Sequence, residues 1–390
     1  MRFQGLRPPQ LRTLVVEEER KATWLELFYD LVFVVAVAVL GGRLQTVTGS
    51  TGVLSYLGYF LLLWWLWASH TFYADRYDTD DLVYRVLATV QLIAVAIIAA
   101  SVSPGPSSSS VGFAIGYTIA RLALLAMYWR ARKHVPETRT LVSGYLVGFG
   151  LGALIWTVSI FTPEPVRFVL WSVALVVDLA TPWIMRREQA RAPLDVSHLP
   201  ERFGLFTILV LGESIAATVA GLGHVEWTAP STATAVIAIV LAATIWLLYF
   251  DNVEGLVVRR DASKARNWRP TVWIYSHYGL AAGLGIVAIG LEHAITEAGH
   301  GEFPDFQRWL LVSGTALAVF CLALTHLASG SAATYEQHNR VARTRMVAAG
   351  GILVLGLFGF MSSTGLVLAI ALILIGTAVS NTQSEQEGQE

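Results

Sequence analysis

The sequence holds one cysteine, Cys321, and three lysines, and only 14% of its 390 residues carry a charge. A single cysteine excludes an intrachain disulfide and a thiolate metal cluster, and neither a metal nor a cofactor is expected. The shortage of charge excludes more. Soluble domains carry roughly 25% charged residues, so a chain this sparse cannot cover its surface against water. The net charge of −1 gives no basic surface for nucleic acid. P-loop, GxSxG, HExxH and dinucleotide fingerprints are missing as well. The first twenty-odd residues lack the short apolar core of a cleavable signal peptide. The first hydrophobic helix is therefore expected to act as its own insertion signal.

What remains is apolar: 55% of residues are hydrophobic. A helix needs about 20 mainly apolar residues to cross a bilayer. Runs of that kind lie at 25–45, 53–73, 82–101, 111–130, 140–161, 166–185, 202–221, 232–250, 271–291, 308–329, 344–361 and 364–380. The reading is all-α: a polytopic membrane bundle of about twelve helices. The final two runs are parted only by Ser362, Ser363, Thr364 and Gly365, and a single long helix there would give eleven spans.

Basic residues collect in cytoplasmic loops, which tests the count independently. Arg2, Arg7, Arg12, Arg20 and Lys21 precede the first run. The loops after even-numbered runs hold Arg76 and Arg85; Arg130, Arg132, Lys133 and Arg139; Arg186, Arg187, Arg191 and Arg202; Arg259, Arg260, Lys264, Arg266 and Arg269; and Arg340, Arg343 and Arg345. Those are 23 of the 27 basic residues. Only Arg43, Arg167 and Arg308 fall in odd-numbered loops, and Arg121 lies inside the fourth run. With twelve spans, both ends are expected in the cytoplasm.

Three short matches recur at one spacing. Glu26-Leu27-Phe28 answers Glu201-Arg202-Phe203; Phe72-Tyr73-Ala74-Asp75 answers Tyr249-Phe250-Asp251; Leu82-Val83-Tyr84-Arg85 answers Val257-Val258-Arg259-Arg260. They suggest two six-helix repeats, 25–185 and 202–380. A segment 1–24 precedes them, a loop 186–201 connects them, and a polar tail 381–390 is expected to be disordered. Two such units would be related by an axis along the membrane normal. Glycines four apart on the fifth run (Gly144, Gly148, Gly152), the fourth (Gly112, Gly116) and the ninth (Gly279, Gly283) predict close helix packing.

Ionisable groups at membrane depth need a partner or a wet cavity. Glu26 and Asp30, four apart, share one helix face near its start. They suit cation or proton handling, or they answer the positive end of the helix dipole. Glu213 follows Glu201 by twelve residues, about 18 Å along a helix, and lies between Gly212 and Ser214. Arg121 is its candidate partner, with Asp178 a second. Pro182 frees the carbonyl of Asp178 from its helical hydrogen bond, which offers either a cation ligand or a plain kink. Gln91 and His277 extend a polar path, or His277 is a satisfied core residue. His198 and Glu201, three apart across Pro200, are either a weak metal pair or a helix cap.

The opening Glu26-Leu27-Phe28-Tyr29-Asp30-Leu31-Val32-Phe33-Val34-Val35-Ala36 resembles the low temperature requirement A (LtrA) family of bacterial membrane proteins. So does the run from His198-Leu199-Pro200-Glu201-Arg202-Phe203 through Gly212-Glu213-Ser214-Ile215, with Pro200 where the family has a small or apolar residue. The resemblance covers essentially the whole chain. It implies an inner-membrane protein associated with growth in the cold, and names no substrate. Phe28-Tyr29-Asp30 is also similar to the Phe-Ser-Asp signature of potassium channels built from two six-helix repeats, although Phe203-Gly204-Leu205 lacks the Asp.

The leading expectation is a proton-linked permease for a small ion or solute. Glu213 titrates near the midplane, Arg121 or Asp178 modulates it, and Glu26, Asp30 and Glu201 form the cytoplasmic mouth. Ser214 and His277 join the pathway, and Phe28, Asp75, His198, Arg202, Gly212 and Asp251 mark the motifs. One rival is an intramembrane lipid-modifying enzyme with His198 and Glu201 at its catalytic face. Another is a sensor or scaffold in which Glu213 matters only for stability.

Overall fold

In the computed structural model, residues 7–11, 22–46, 49–103, 109–192, 198–250, 268–329 and 335–387 are described. Among them are twelve helices of 19 residues or more. They are α1 Trp24–Thr46, α2 Gly49–Arg76, α3 Leu82–Val102, α4 Ser110–His134, α5 Arg139–Ile160 and α6 Val166–Ile184, followed by α7 His198–Gly223, α8 Ala229–Phe250, α9 Arg269–Thr296, α10 Asp305–Ser329, α11 Tyr335–Leu355 and α12 Ser363–Glu387. A two-residue antiparallel ribbon, β1 Gln10–Leu11 with β2 Tyr77–Asp78, is the one paired strand element among the described residues.

Local chemistry sets several helix starts. Thr23 and Glu26 form a capping box at α1: the Thr23 amide donates to Glu26 Oε2 (2.7 Å) and the Glu26 amide to Thr23 Oγ1 (3.3 Å). Asp81 caps α3 through the Tyr84 amide, and Ser109 caps α4 through that of Gly112.

Eleven of the helices are long and apolar enough to cross a membrane. The other is α11, whose first half carries Arg340, Arg343 and Arg345. The charged first turns hid its start at Tyr335, since the apolar run read from the sequence begins only at 344. A turn closed by bonds such as Leu357 N–H to the Val354 carbonyl separates α11 from α12, so the final pair is two helices. Helix α12 also continues to Glu387, into the stretch expected to be a disordered tail.

Large apolar side chains stand exposed on many helices, among them Ile93, Val147, Val176 and Leu372. Such a surface is what lipid, not water, covers. Buried inside are the bulky aromatics Trp64, Trp65, Trp67 and Trp156, and the charged side chains of Asp30, Arg121, Asp178 and Arg202.

Packing divides the chain into two compact units. One comprises residues 1–46, 54–202 and 261–267, the other 47–53, 203–260 and 268–390, so the division falls within α7. In the first, α1 packs on α3 and the series α3–α4, α4–α5, α5–α6 packs in sequence. The helix-five glycines seat α5 on α6, because a Cβ at Gly148 or Gly152 would strike Thr181 or Asp178. In the second unit, α9–α10, α10–α11 and α11–α12 pack in the same order, and α8 packs on α12.

The three arginines that break the charge alternation share one role. Arg43 donates to the Val102 carbonyl at the end of α3 and lies over the Tyr59 ring. Arg167 donates to the Ser159 and Thr162 carbonyls at the end of α5. Arg308 donates to the Gly356 carbonyl just past α11, and to that of Phe303. Each satisfies helix-end carbonyls and the negative end of the helix dipole. They neutralise backbone rather than orient the chain.

Candidate functional site

The start of α1, the second half of α2 and the first turn of α7 bring their charged residues together in the first unit. Arg202 is fully buried; its Nη2 donates to Asp30 Oδ1 at 2.6 Å, and its Nη1 lies 3.3 Å from Glu26 Oε1. His198, at the first position of α7, faces two acids: Nδ1 is 3.0 Å from Asp75 Oδ1 and Nε2 is 3.5 Å from Glu26 Oε2. The Trp67 indole N–H donates to Asp30 Oδ1 at 2.7 Å. Three carboxylates thus share one guanidinium and one imidazole.

Counted over the described residues alone, three ionised carboxylates and one guanidinium leave two negative charges with His198 neutral and one with it protonated. Asp30 Oδ2 has no hydrogen-bond partner among the described residues. Around the core of the cluster, the Tyr29 hydroxyl donates to Gln91 Oε1, and Gln91 Nε2 donates to the Ala120 carbonyl. His70 stacks on Tyr29 and meets the Tyr84 hydroxyl at 3.2 Å. Glu201 lies at the margin, where its Oε1 accepts the Ala22 amide. Phe28 points outward and is exposed.

The sequence marked Glu26, Asp30, Asp75, His198 and Arg202 separately, and the fold joins them. Trp67 was missed. Its signal was a Trp64-Trp65-Leu66-Trp67 run, in which a buried indole N–H requires an acceptor.

Arg121 and Asp178 do not serve Glu213. They pair with each other in the first unit at 2.6 Å, both side chains fully buried. Arg121 also donates to Ser69 Oγ and Tyr117 Oη, and it lies over the Phe149 ring. The expected pairing with Glu213 fails because Asp178, seated against Gly152, takes the guanidinium.

In the second unit, Glu213 is half-buried midway along α7 and makes no hydrogen bond or ion pair with the described residues. Beside it, Ser214 is buried with its hydroxyl unpaired, and a Cβ on Gly212 would meet nothing. His277 is a satisfied core residue: Nε2 is 3.1 Å from the Tyr249 hydroxyl and Nδ1 is 2.6 Å from the Trp273 carbonyl. Asp251 lies outside the described residues.

Eleven membrane-length helices, an apolar exterior and charges gathered inside define a multi-pass α-helical membrane protein. The chain belongs to the bacterial low temperature requirement A protein (LtrA) family, whose model matches residues 21–380. It is also similar to a Rhizobium meliloti (strain 1021) protein described as uncharacterized protein RA0937, 25% identical over 290 residues, covering 71% of this chain and 70% of that one.

Proposed function

We propose that the protein is a proton-linked permease for a small ion or solute, set in the bacterial inner membrane with both ends in the cytoplasm. One observation carries the reading: Glu213, midway along a membrane helix, is half-buried and unpaired among the described residues. A carboxylate in hydrocarbon without a partner must take up a proton or meet water. Both are properties of a proton carrier. A structural charge would resemble Arg121 and Asp178, closed on each other.

The buried cluster supplies the coupling. Its members tie the start of α7 to α1 and α2 through Arg202 and His198. Adding or removing a proton there changes how firmly that turn is held. The enzymic alternative needs His198 to reach a lipid, yet His198 is fully enclosed between Asp75 and Glu26. Two six-helix repeats fit the parallel packing series of the two units.

The test uses liposomes holding the full-length protein and a pH-sensitive dye, with sodium, potassium or mixed amino acids supplied outside. Wild type should move protons with at least one of these, and Glu213→Gln should abolish the movement while the protein stays folded. Flux equal to wild type in the variant would remove Glu213 from the pathway.

A further inference from the structure

An open groove of about 930 Å3 runs between α11 and α12. Its mouth holds Arg340 and Arg343, and among the described lining residues none is acidic. Arg343 is exposed and makes no ion pair among the described residues. Deeper in, the lining becomes small and apolar at Ala348, Gly351 and Gly376. A Cβ on Gly376 would meet nothing within 4 Å, and one on Gly351 would only touch Ile373. The glycines therefore keep the groove open instead of letting the helices close on each other. This contrasts with Gly283 of α9, where the backbone of Gly314 and Ala318 fills the space.

The dimensions fit one leaflet. From Arg340 to Gly351 the helix rises about 16 Å, and half of a hydrocarbon core is about 15 Å. A cationic mouth at headgroup level above an apolar slot one leaflet deep matches a molecule with an anionic head and an acyl chain. Basic pockets between membrane helices recognise anionic headgroups in this manner. At the mouth, Thr344 donates to Asn381 Oδ1 (3.0 Å), and the Nδ2 of this buried Asn381 has no hydrogen-bond partner among the described residues. A donor thus lies one hydrogen bond behind the lining.

We propose that this groove binds one anionic phospholipid, with its phosphate between Arg340 and Arg343 and one acyl chain along Gly351 and Gly376. The site is independent of Glu213 and of proton movement.

To test it, the full-length protein is stripped of lipid in neutral detergent and titrated with phosphatidylglycerol, phosphatidylcholine or inorganic phosphate. Bound molecules are counted by native mass spectrometry. Phosphatidylglycerol should bind more tightly than phosphatidylcholine. The double variant Arg340→Gln, Arg343→Gln should weaken phosphatidylglycerol roughly tenfold or more, at about 1 kcal/mol per basic residue, and leave phosphatidylcholine unchanged. Gly376→Leu, whose Cβ would meet nothing within 4 Å and whose side chain would occupy the slot, should weaken both lipids. Phosphatidylglycerol binding equal to wild type in either variant would overturn the proposal. So would inorganic phosphate competing as well as the lipid, because the acyl chain would then contribute nothing.

Discussion

Two carboxylates of this protein, Asp178 and Glu213, lie in membrane helices and have opposite surroundings. Asp178 is enclosed, with a guanidinium at 2.6 Å and a glycine cut into the neighbouring helix to admit it. Glu213 is half-buried beside an open glycine and an unpaired serine hydroxyl, with no partner among the described residues. The difference separates two uses of charge in a bilayer. A charge that the fold has satisfied holds helices together. A charge that the fold has left unsatisfied remains free to exchange a proton. The cluster around Arg202 stands between these extremes: it is enclosed like Asp178, but among the described residues it has more acids than bases.

That comparison can be broken by mutation. The largest loss is expected at Arg121. Arg121→Leu leaves Asp178 buried without its cation, which should cost about 4 kcal/mol or more and appear as a fall in melting temperature or in the yield of folded protein. Stability equal to wild type would mean that Asp178 reaches water, and the contrast with Glu213 would collapse. Arg202→Gln should cost less, about 3 kcal/mol, because His198 still faces Glu26 and Asp75. Adding Asp30→Asn to that variant should restore about 1–2 kcal/mol, since it removes one of the stranded acids. Additive losses would show that Asp30 and Arg202 do not interact.

The smallest effect is outside the membrane helices, at Asp81. Burial raises its carboxyl, but hydrogen bonds from Arg130 and from the Tyr84 amide outweigh that and hold it below the usual aspartate range. A carboxyl depressed by folding contributes stability that is complete above its unfolded value, about 3.9, and is lost as pH falls through the lower folded value. Wild type should lose melting temperature in that acid window. Asp81→Asn keeps a capping oxygen but loses the ion pair with Arg130, so it should start up to about 1 kcal/mol lower at neutral pH and lose less in acid. Parallel acid curves would remove Asp81 from the account.

Much of the fold was legible in the sequence because membrane helices obey simple length and composition rules. Charge alternation also separated the loops, and its three exceptions, Arg43, Arg167 and Arg308, each lie within two or three residues of a helix end or start. Their task as carbonyl caps needed the neighbouring helix to be seen. The start of α11 was hidden because its first turns are charged while still helical. At the site, residue types and helix positions were readable, but partners were not. Glu26, Asp75 and His198 are far apart in the chain, and nothing local says that one imidazole will face both acids. Likewise, depth suggested Arg121 as the partner of Glu213, whereas the choice was decided by which helix Gly152 allows to approach.

In the proposed function, Glu213 binds and releases a proton within the membrane. Infrared difference spectra of the full-length protein in liposomes, recorded while pH is varied, read this directly through the carbonyl stretch of a protonated carboxyl group. The account predicts a pH-dependent carboxyl band that is missing from Glu213→Gln and kept in Asp178→Asn. A band that persists in Glu213→Gln and vanishes with Asp178 would contradict it.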